Sequence, residues 1–224
     1  MRRLIPILLL AGMSAQAQVT TYCCDATAEA QYLADLATLA PAATVVPESF
    51  EEGPWIPSSL WLSVTNNGIT WSRTDHAVAT STGGGDVHDG TYLFYARQIT
   101  QPFHPVPDGF TLTSDGQNLY GVGGWFTGQG QPSKLAFIVD GDTNRVDFTG
   151  AEATVSDWKF LGFIDQTPFT SVDILTADEV GNETTIFFSD DFHIAKGPGT
   201  AAGDHGGDGK SDIFWRNVGS GQNW

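Results

Sequence analysis

The spacing of apolar and polar positions changes once along the chain. Over residues 26–39, Tyr32, Leu33, Leu36 and Leu39 fall on one face at helical spacing within an alanine-rich stretch. Thr27 is placed to cap its start and Pro41 to end it. One short amphipathic helix follows, docked on the main domain or linking to it, while residues 18–27 read as irregular. From Val45 to Ala195 the period becomes that of strands. Segments 69–72, 91–99, 110–113, 135–139, 146–148, 158–164, 172–175 and 185–194 are rich in Val, Ile, Thr and aromatics, and several alternate. Turn signals separate them: Asn66-Asn67-Gly68, Gly83-Gly84-Gly85, Asp108-Gly109, Asp115-Gly116, Asp140-Gly141-Asp142 and Gly181-Asn182. Strands at this spacing, with no helices between them, predict an all-β antiparallel sandwich.

The last of these strands carries an anomaly. Ile186, Phe188, Phe192 and Ile194 share one phase, and Asp190 falls on it. A carboxylate on an apolar face is costly unless it is paired or bound to metal. The pattern therefore directs Asp190 inward and Asp191 outward, and the rival reading is an edge position where Asp190 reaches water.

The ends of the chain differ from its middle. Arg2 and Arg3 precede a short apolar run, and Ala15-Gln16-Ala17 is a small-x-small cleavage site. Residues 1–17 read as a secretory signal peptide, too short to span a membrane. The expected layout is an N-terminal segment over 18–44, the sandwich over 45–196, a Gly197-Pro198-Gly199 linker within 197–203, and a separate unit over 204–224.

The net charge is −16, from 26 acids against 10 bases, and it disfavours nucleic acid and anionic lipid as partners. Such a surface attracts divalent cations, or simply keeps the protein soluble. Cys23 and Cys24 are adjacent, and ordinary disulfide geometry does not join neighbours. They are expected to pair with another chain or to remain thiols.

The last unit holds the sharpest chemical signal. Asp204, Asp208 and Asp212 occupy positions one, five and nine of a loop whose Gly206, Gly207 and Gly209 allow it to curl. Calcium takes about six to eight oxygen ligands, and the Lys210 carbonyl adds one to the three carboxylates. Asp208 to Asn217 resembles the FG-GAP or VCBS calcium repeat of secreted and adhesion proteins, including the Ile213-Phe214-Trp215-Arg216-Asn217 tail. It departs from that pattern at Gly206, where the repeat carries Asn or Asp. One side-chain ligand is thereby lost.

A second resemblance lies in the sandwich. Ser49-Phe50-Glu51, His88-Asp89-Gly90-Thr91-Tyr92-Leu93, Gly109-Phe110-Thr111-Leu112 and Phe188-Ser189-Asp190-Asp191-Phe192-His193-Ile194 resemble the jelly-roll domains of secreted bacterial proteins related to carbohydrate-binding modules. The resemblance implies one structural calcium surrounded by the opening Glu, the Gly-Thr-Tyr loop and the closing acidic pair. Carried onto this chain, the implied ligands are Glu51, Asp86, Asp89, Asp190 and Asp191, with carbonyls around 86–89.

Aromatic residues are the remaining candidates for ligand contact. Trp55, Trp61 and Trp125 lie near turn signals, where an exposed ring stacks on a sugar or, equally, packs into the core. Trp71 and Trp158 lie within strands and read as core. No catalytic set is legible. Asp140 and Asp142 resemble a paired-acid arrangement but also an ordinary turn, and no Gly-x-Ser-x-Gly elbow, zinc spacing or phosphate loop occurs. The expectation is a secreted, calcium-binding, non-catalytic module that recognises a glycan or cell-surface polymer. The alternatives are a structural or adhesion protein with no defined small ligand, and an accessory domain of a polysaccharide-acting enzyme.

Overall fold

A computed structural model describes residues 19–56, 60–72, 76–82, 88–98, 109–128, 133–141, 144–153, 157–176 and 187–197. The signal peptide, Asp86, Asp142, the linker from residue 198 and the calcium loop with Asp204, Asp208, Lys210 and Asp212 lie outside the described residues.

Among the described residues the chain is an antiparallel β-sandwich of the jelly-roll class with one α-helix. Its strands are β1 (Val19–Cys23), β2 (Thr44–Glu48), β3 (Leu60–Trp61), β4 (Ser63–Asn66), β5 (Ile69–Ser72), β6 (His76–Ser81), β7 (Leu93–Gln98), β8 (Gly109–Ser114), β9 (Leu119–Gly128), β10 (Ser133–Val139), β11 (Asn144–Ala153), β12 (Lys159–Phe169), β13 (Ser171–Thr176) and β14 (Phe187–Lys196). The helix is α1 (Ala26–Leu39). One sheet runs β1-β12-β9-β14-β7-β6-β3, with β2 also on β14, and the other runs β11-β10-β13-β8-β5-β4. Between them lies an aromatic core. Phe50 stacks on Phe94 with ring centroids 4.8 Å apart, and Trp55, Trp71, Phe110 and Phe192 meet these rings edge-on or tilted.

All eight strands expected from the pattern are present. Strand β9 was not among the expected strands: Gly123-Gly124-Trp125-Phe126, where Trp125 was expected near a turn, forms the strand between β12 and β14. Its glycines are there for close approach. A Cβ on Gly123 would lie 2.6 Å from the Phe160 ring and 3.2 Å from the Tyr32 ring. Residues 19–23, expected to be irregular, form β1, which pairs with β12 from Val19↔Asp165 to Cys23↔Leu161.

Helix α1 covers the outer face of the eight-stranded sheet. Tyr32 and Leu36 are buried there with Trp125, Phe160 and Ile164, while Leu33 and Leu39 flank them. This second core uses the apolar face that helical spacing predicts. The N-cap is Asp25 rather than Thr27: its Oδ1 accepts the N–H groups of Thr27 and Ala28, both at 3.0 Å. Just before the cap, Cys23 and Cys24 are bonded to each other, which corrects the expectation of thiols or an interchain link. The peptide between them is cis, and their Cα atoms are 3.2 Å apart.

Candidate functional site

The site lies where β14 changes partners. One edge of β14 follows β9 throughout. Its other edge pairs with β7 at Phe188 and Ser189 and with β2 from Phe192 onward. Between these stretches Asp191 takes a left-handed conformation, φ 46°, and the register against β9 shifts. This bulge moves side chains to new faces. Phe187, Ser189, Phe192 and Ile194 face the sandwich interior, whereas Phe188 and Asp190 pair with Thr127 and Trp125 on the outer face. Asp190 is buried as expected, at 0% exposure, but not on the phase of Phe192. The alternation rule failed because one residue is inserted into the strand.

Three chain segments meet at this gap. After β2, Phe50 is also left-handed, φ 59°, which turns its ring into the core and sends Glu51 away from it. Glu51 Oε1 accepts the N–H of Thr91 at 2.6 Å and of Tyr92 at 2.7 Å. Asp190 Oδ2 accepts the N–H of Asp89 at 3.3 Å, and its Oδ1 accepts that of Asp191 at 2.9 Å. Gly90 has φ +69°, and a Cβ there would lie within 2.4 Å of Glu51 Oε1, so only glycine fits between the carboxylate and the loop. The opening Glu, the Gly-Thr-Tyr loop and the closing Asp pair thus come together.

The electrostatics are strained. Burial, the neighbouring charge of Asp191 and the charge of Glu51 push Asp190 up to about 8, against the pull of the Asp89 and Asp191 N–H groups. Glu48, 5% exposed at the end of β2, is raised by burial in spite of its bonds from Phe50 N–H and Asn66 Nδ2. The donors at the gap are hard oxygens, which suits calcium rather than a soft metal. Among the described residues, no group of three or more His, Cys, Asp or Glu side chains is placed to hold a metal ion.

Beside this cluster is a cleft of about 350 Å³ lined by Glu29, Glu48, His88, Asp89, Asp191 and His193, among others. Two histidines that the sequence left scattered are organised here. His88 Nδ1 lies 2.9 Å from Asp191 Oδ2, and His193 Nε2 lies 2.6 Å from Glu29 Oε1 on α1. His193 is also tied to the helix through its carbonyl, which accepts the Tyr32 hydroxyl at 2.8 Å.

The tryptophans are distributed differently from their turn signals. Trp125 is 7% exposed and stacked under His88, so the expectation of a presented ring is corrected. Trp55 is fully buried in the core. Trp61 is half-buried on the edge strand β3, edge-on to Trp55 at 5.9 Å. Trp71 is core as expected, whereas Trp158 is half-buried beside the outer cluster. The aromatic pair that does reach the outer face is Tyr95 and Phe188, cross-strand neighbours on β7 and β14 with centroids 5.6 Å apart, both half-buried. Local spacing hid them, because Phe188 reads as a core residue. Asp140 serves its turn. Although partial burial pushes its carboxyl upward, the N–H and hydroxyl groups of Thr170 and Ser171 hold it below the usual range.

No family model matches the chain, and no curated protein matches it. Among solved structures it is similar to the CBM22-1 xylan-binding domain of Paenibacillus barcinonensis Xyn10C, at 16% identity and TM-score 0.43, covering 69% of this chain and 96% of that one. It is similar to TmCBM61 in complex with β-1,4-galactotriose, at 18% identity and TM-score 0.36, covering 66% and 94%. A family 29 carbohydrate-binding module from Piromyces equi matches at 12% identity and TM-score 0.39, covering 67% and 91%. Likeness of this degree carries no argument about ligand, and the sandwich is defined by its own two sheets.

Proposed function

We propose that this chain is a secreted, calcium-stabilised, non-catalytic module that binds a glycan. The observation that carries the binding half is the Tyr95–Phe188 pair. Two half-buried rings meet edge to face, with 69° between their planes, on a sheet face of which α1 covers a different part. Rings fixed by cross-strand pairing offer rigid apolar area at small entropic cost, which suits the apolar face of a sugar ring.

The calcium half is supported by the convergence of Glu51, Asp190 and the 88–92 loop. Here an acid with 0% exposure faces two further acids. Backbone carbonyls and water would supply most of the shell around Asp190, since no three described side chains are placed to hold a metal together. Bound calcium would neutralise the buried charge and tie the start of the sandwich to its last strand. Secretion rests on the signal-like residues 1–17, and no helix among the described residues is long and apolar enough to cross a membrane.

Affinity electrophoresis and calorimetry against soluble xylan, galactan and related β-linked polymers test the reading. Saturable binding that falls at least about tenfold in Tyr95→Ala or Phe188→Ala is expected, the loss of one well-packed ring contact. Binding unchanged in both variants removes the platform. No binding to any polymer returns the chain to the adhesion alternative.

A further inference from the structure

The outer face of the eight-stranded sheet carries two neighbouring rows that run across the strands. In one row Phe160 pairs with Trp125 and Trp125 with Asp190, and the register of β14 on β7 brings Leu93 next. All four are buried, although they face away from the sandwich interior. Helix α1 lies over Phe160, the His88 ring over Trp125, and the loop at Asp89 over Asp190. The next row is more open. Lys159 pairs with Phe126, so Trp158 comes opposite Thr127; Thr127 pairs with Phe188, and Phe188 with Tyr95. Thr127 is buried, and the three aromatic residues of this row are all half-buried. Alternation puts Trp158 on the same face as Phe160. Its contacts agree, because it packs on the outer cluster and meets His88 edge-on at 5.6 Å.

We propose that Trp158 is the third ring of the glycan site, and that the ligand is a single extended chain lying across the strands from Trp158 to Tyr95. The proposal rests on the glycan reading above and adds the direction and length of the bound chain. Two strand spacings, about 10 Å, separate Trp158 from Phe188 in the row. The Tyr95 ring is a further 5.6 Å on. A single sugar ring reaches the Tyr95–Phe188 pair or Trp158, whereas a longer chain reaches all three. Tryptophan, like the other two, offers large apolar area with few rotatable bonds to freeze, so the added contact is cheap in entropy. The shape of the row also favours one chain. Adjacent strands rotate by about 20–25° relative to each other, which turns the row through about 60–75° over three spacings. Tyr95 and Phe188 are themselves 69° apart in plane. Rings turned in this way share no plane, and they present successive contacts to a chain that twists.

The test uses the full chain and β-1,4-linked xylo- and galacto-oligosaccharides, from disaccharide to hexasaccharide, titrated by calorimetry. Affinity is expected to rise with chain length until the row is spanned and then to level off. Trp158→Ala should weaken the hexasaccharide at least about tenfold, the loss of one well-packed ring, and leave unchanged the shortest oligosaccharide that binds. Trp158→Leu, which keeps an apolar side chain against the outer cluster, should behave as Trp158→Ala does. Trp158→Phe should regain part of the loss, so the Leu and Phe variants keep the test valid if Trp158→Ala folds poorly. Equal losses at every length are what a purely structural role predicts. That result, or wild-type affinity for the hexasaccharide in Trp158→Leu, overturns the third ring, as does a polymer that binds while its hexasaccharide does not. In each case a loss in Phe188→Ala leaves the two-ring platform standing. Absence of saturable binding to every oligosaccharide and polymer overturns both.

Discussion

The imidazole of His88 lies nearly parallel to the indole of Trp125, with ring centroids 4.1 Å apart. The contact joins a loop to the middle of a central strand. It removes from solvent a tryptophan whose glycine-flanked sequence suggests a turn. The indole also rests on Phe160 beneath α1, so it belongs to the second core.

Trp125→Ala is accordingly a stability variant. Truncating a buried indole costs about 3–5 kcal/mol. Trp61→Ala, at a half-buried edge position, should cost about 1–2 kcal/mol, from the smaller area removed from water. Urea denaturation of the two variants checks the ranking, and equal costs would contradict the assigned burial.

Calcium should raise the melting temperature of the sandwich. At a free concentration about 100 times Kd, binding to the folded state alone contributes about 2.7 kcal/mol. For a domain of this size that corresponds to about 5–10 °C. Asp190→Asn should abolish the rise, and calorimetry with and without chelator measures it. A variant that keeps the full shift places the ion elsewhere.

Stability in chelator should depend on pH through Asp190 and Glu48. Both carboxyls are raised in the folded state, Asp190 to about 8. A raised folded pKa means that the folded protein holds protons that the unfolded chain has released. The associated stability is present in full below about pH 4 and is lost as pH rises towards 8. The melting temperature of the stripped protein should therefore fall across that window. Asp190→Asn should flatten the fall, and saturating calcium should oppose it. A stripped protein that gains stability from pH 5 to 8 would run against this sign.

Gly90→Ala probes the loop directly. A left-handed φ costs a non-glycine residue about 1–2 kcal/mol, and the added Cβ meets Glu51 Oε1. The expected outcome is a destabilised protein with weakened calcium binding, read by thermal melting and calorimetry on one sample. Gly116→Ala is the control. It has a similar φ of +69° and nothing within 4 Å of its Cβ, so it should lose stability without losing the ion.

The C-terminal loop offers a separate expectation. Asp208→Asn with Asp212→Asn should reduce the number of calcium ions bound by the full chain by one and leave the melting of the sandwich unchanged. Unaltered stoichiometry would remove that loop from the metal count.

Local pattern determined the classes of structure. Helical spacing placed Ala26–Leu39 and its buried face, and alternation placed eight strands, because both depend on side chains a few residues apart. The Asn67-Gly68 turn before β5 was legible for the same reason, both residues adopting positive φ, whereas its partner β4 was not read. The burial of Asp190 was also readable, as a charge set in an apolar run.

Tertiary structure decided the rest. Gly121, Gly123 and Gly124 look like a turn until Tyr32, Phe160 and Phe192 press against them, contacts made across long stretches of sequence. The left-handed conformation of Asp191 exchanged the faces of β14, moving Phe188 outward beside Tyr95 and setting Asp190 opposite Trp125. No spacing rule foresees a bulge whose cause is a change of strand partner from β7 to β2. The meeting of Glu51 with residues 91 and 92, and of His88 with Trp125, is likewise a product of the folded sheet. The sequence alone determined that this is an acidic β-sandwich with carboxylates in unusual places, and only the packing of distant strands decided which of those carboxylates meet.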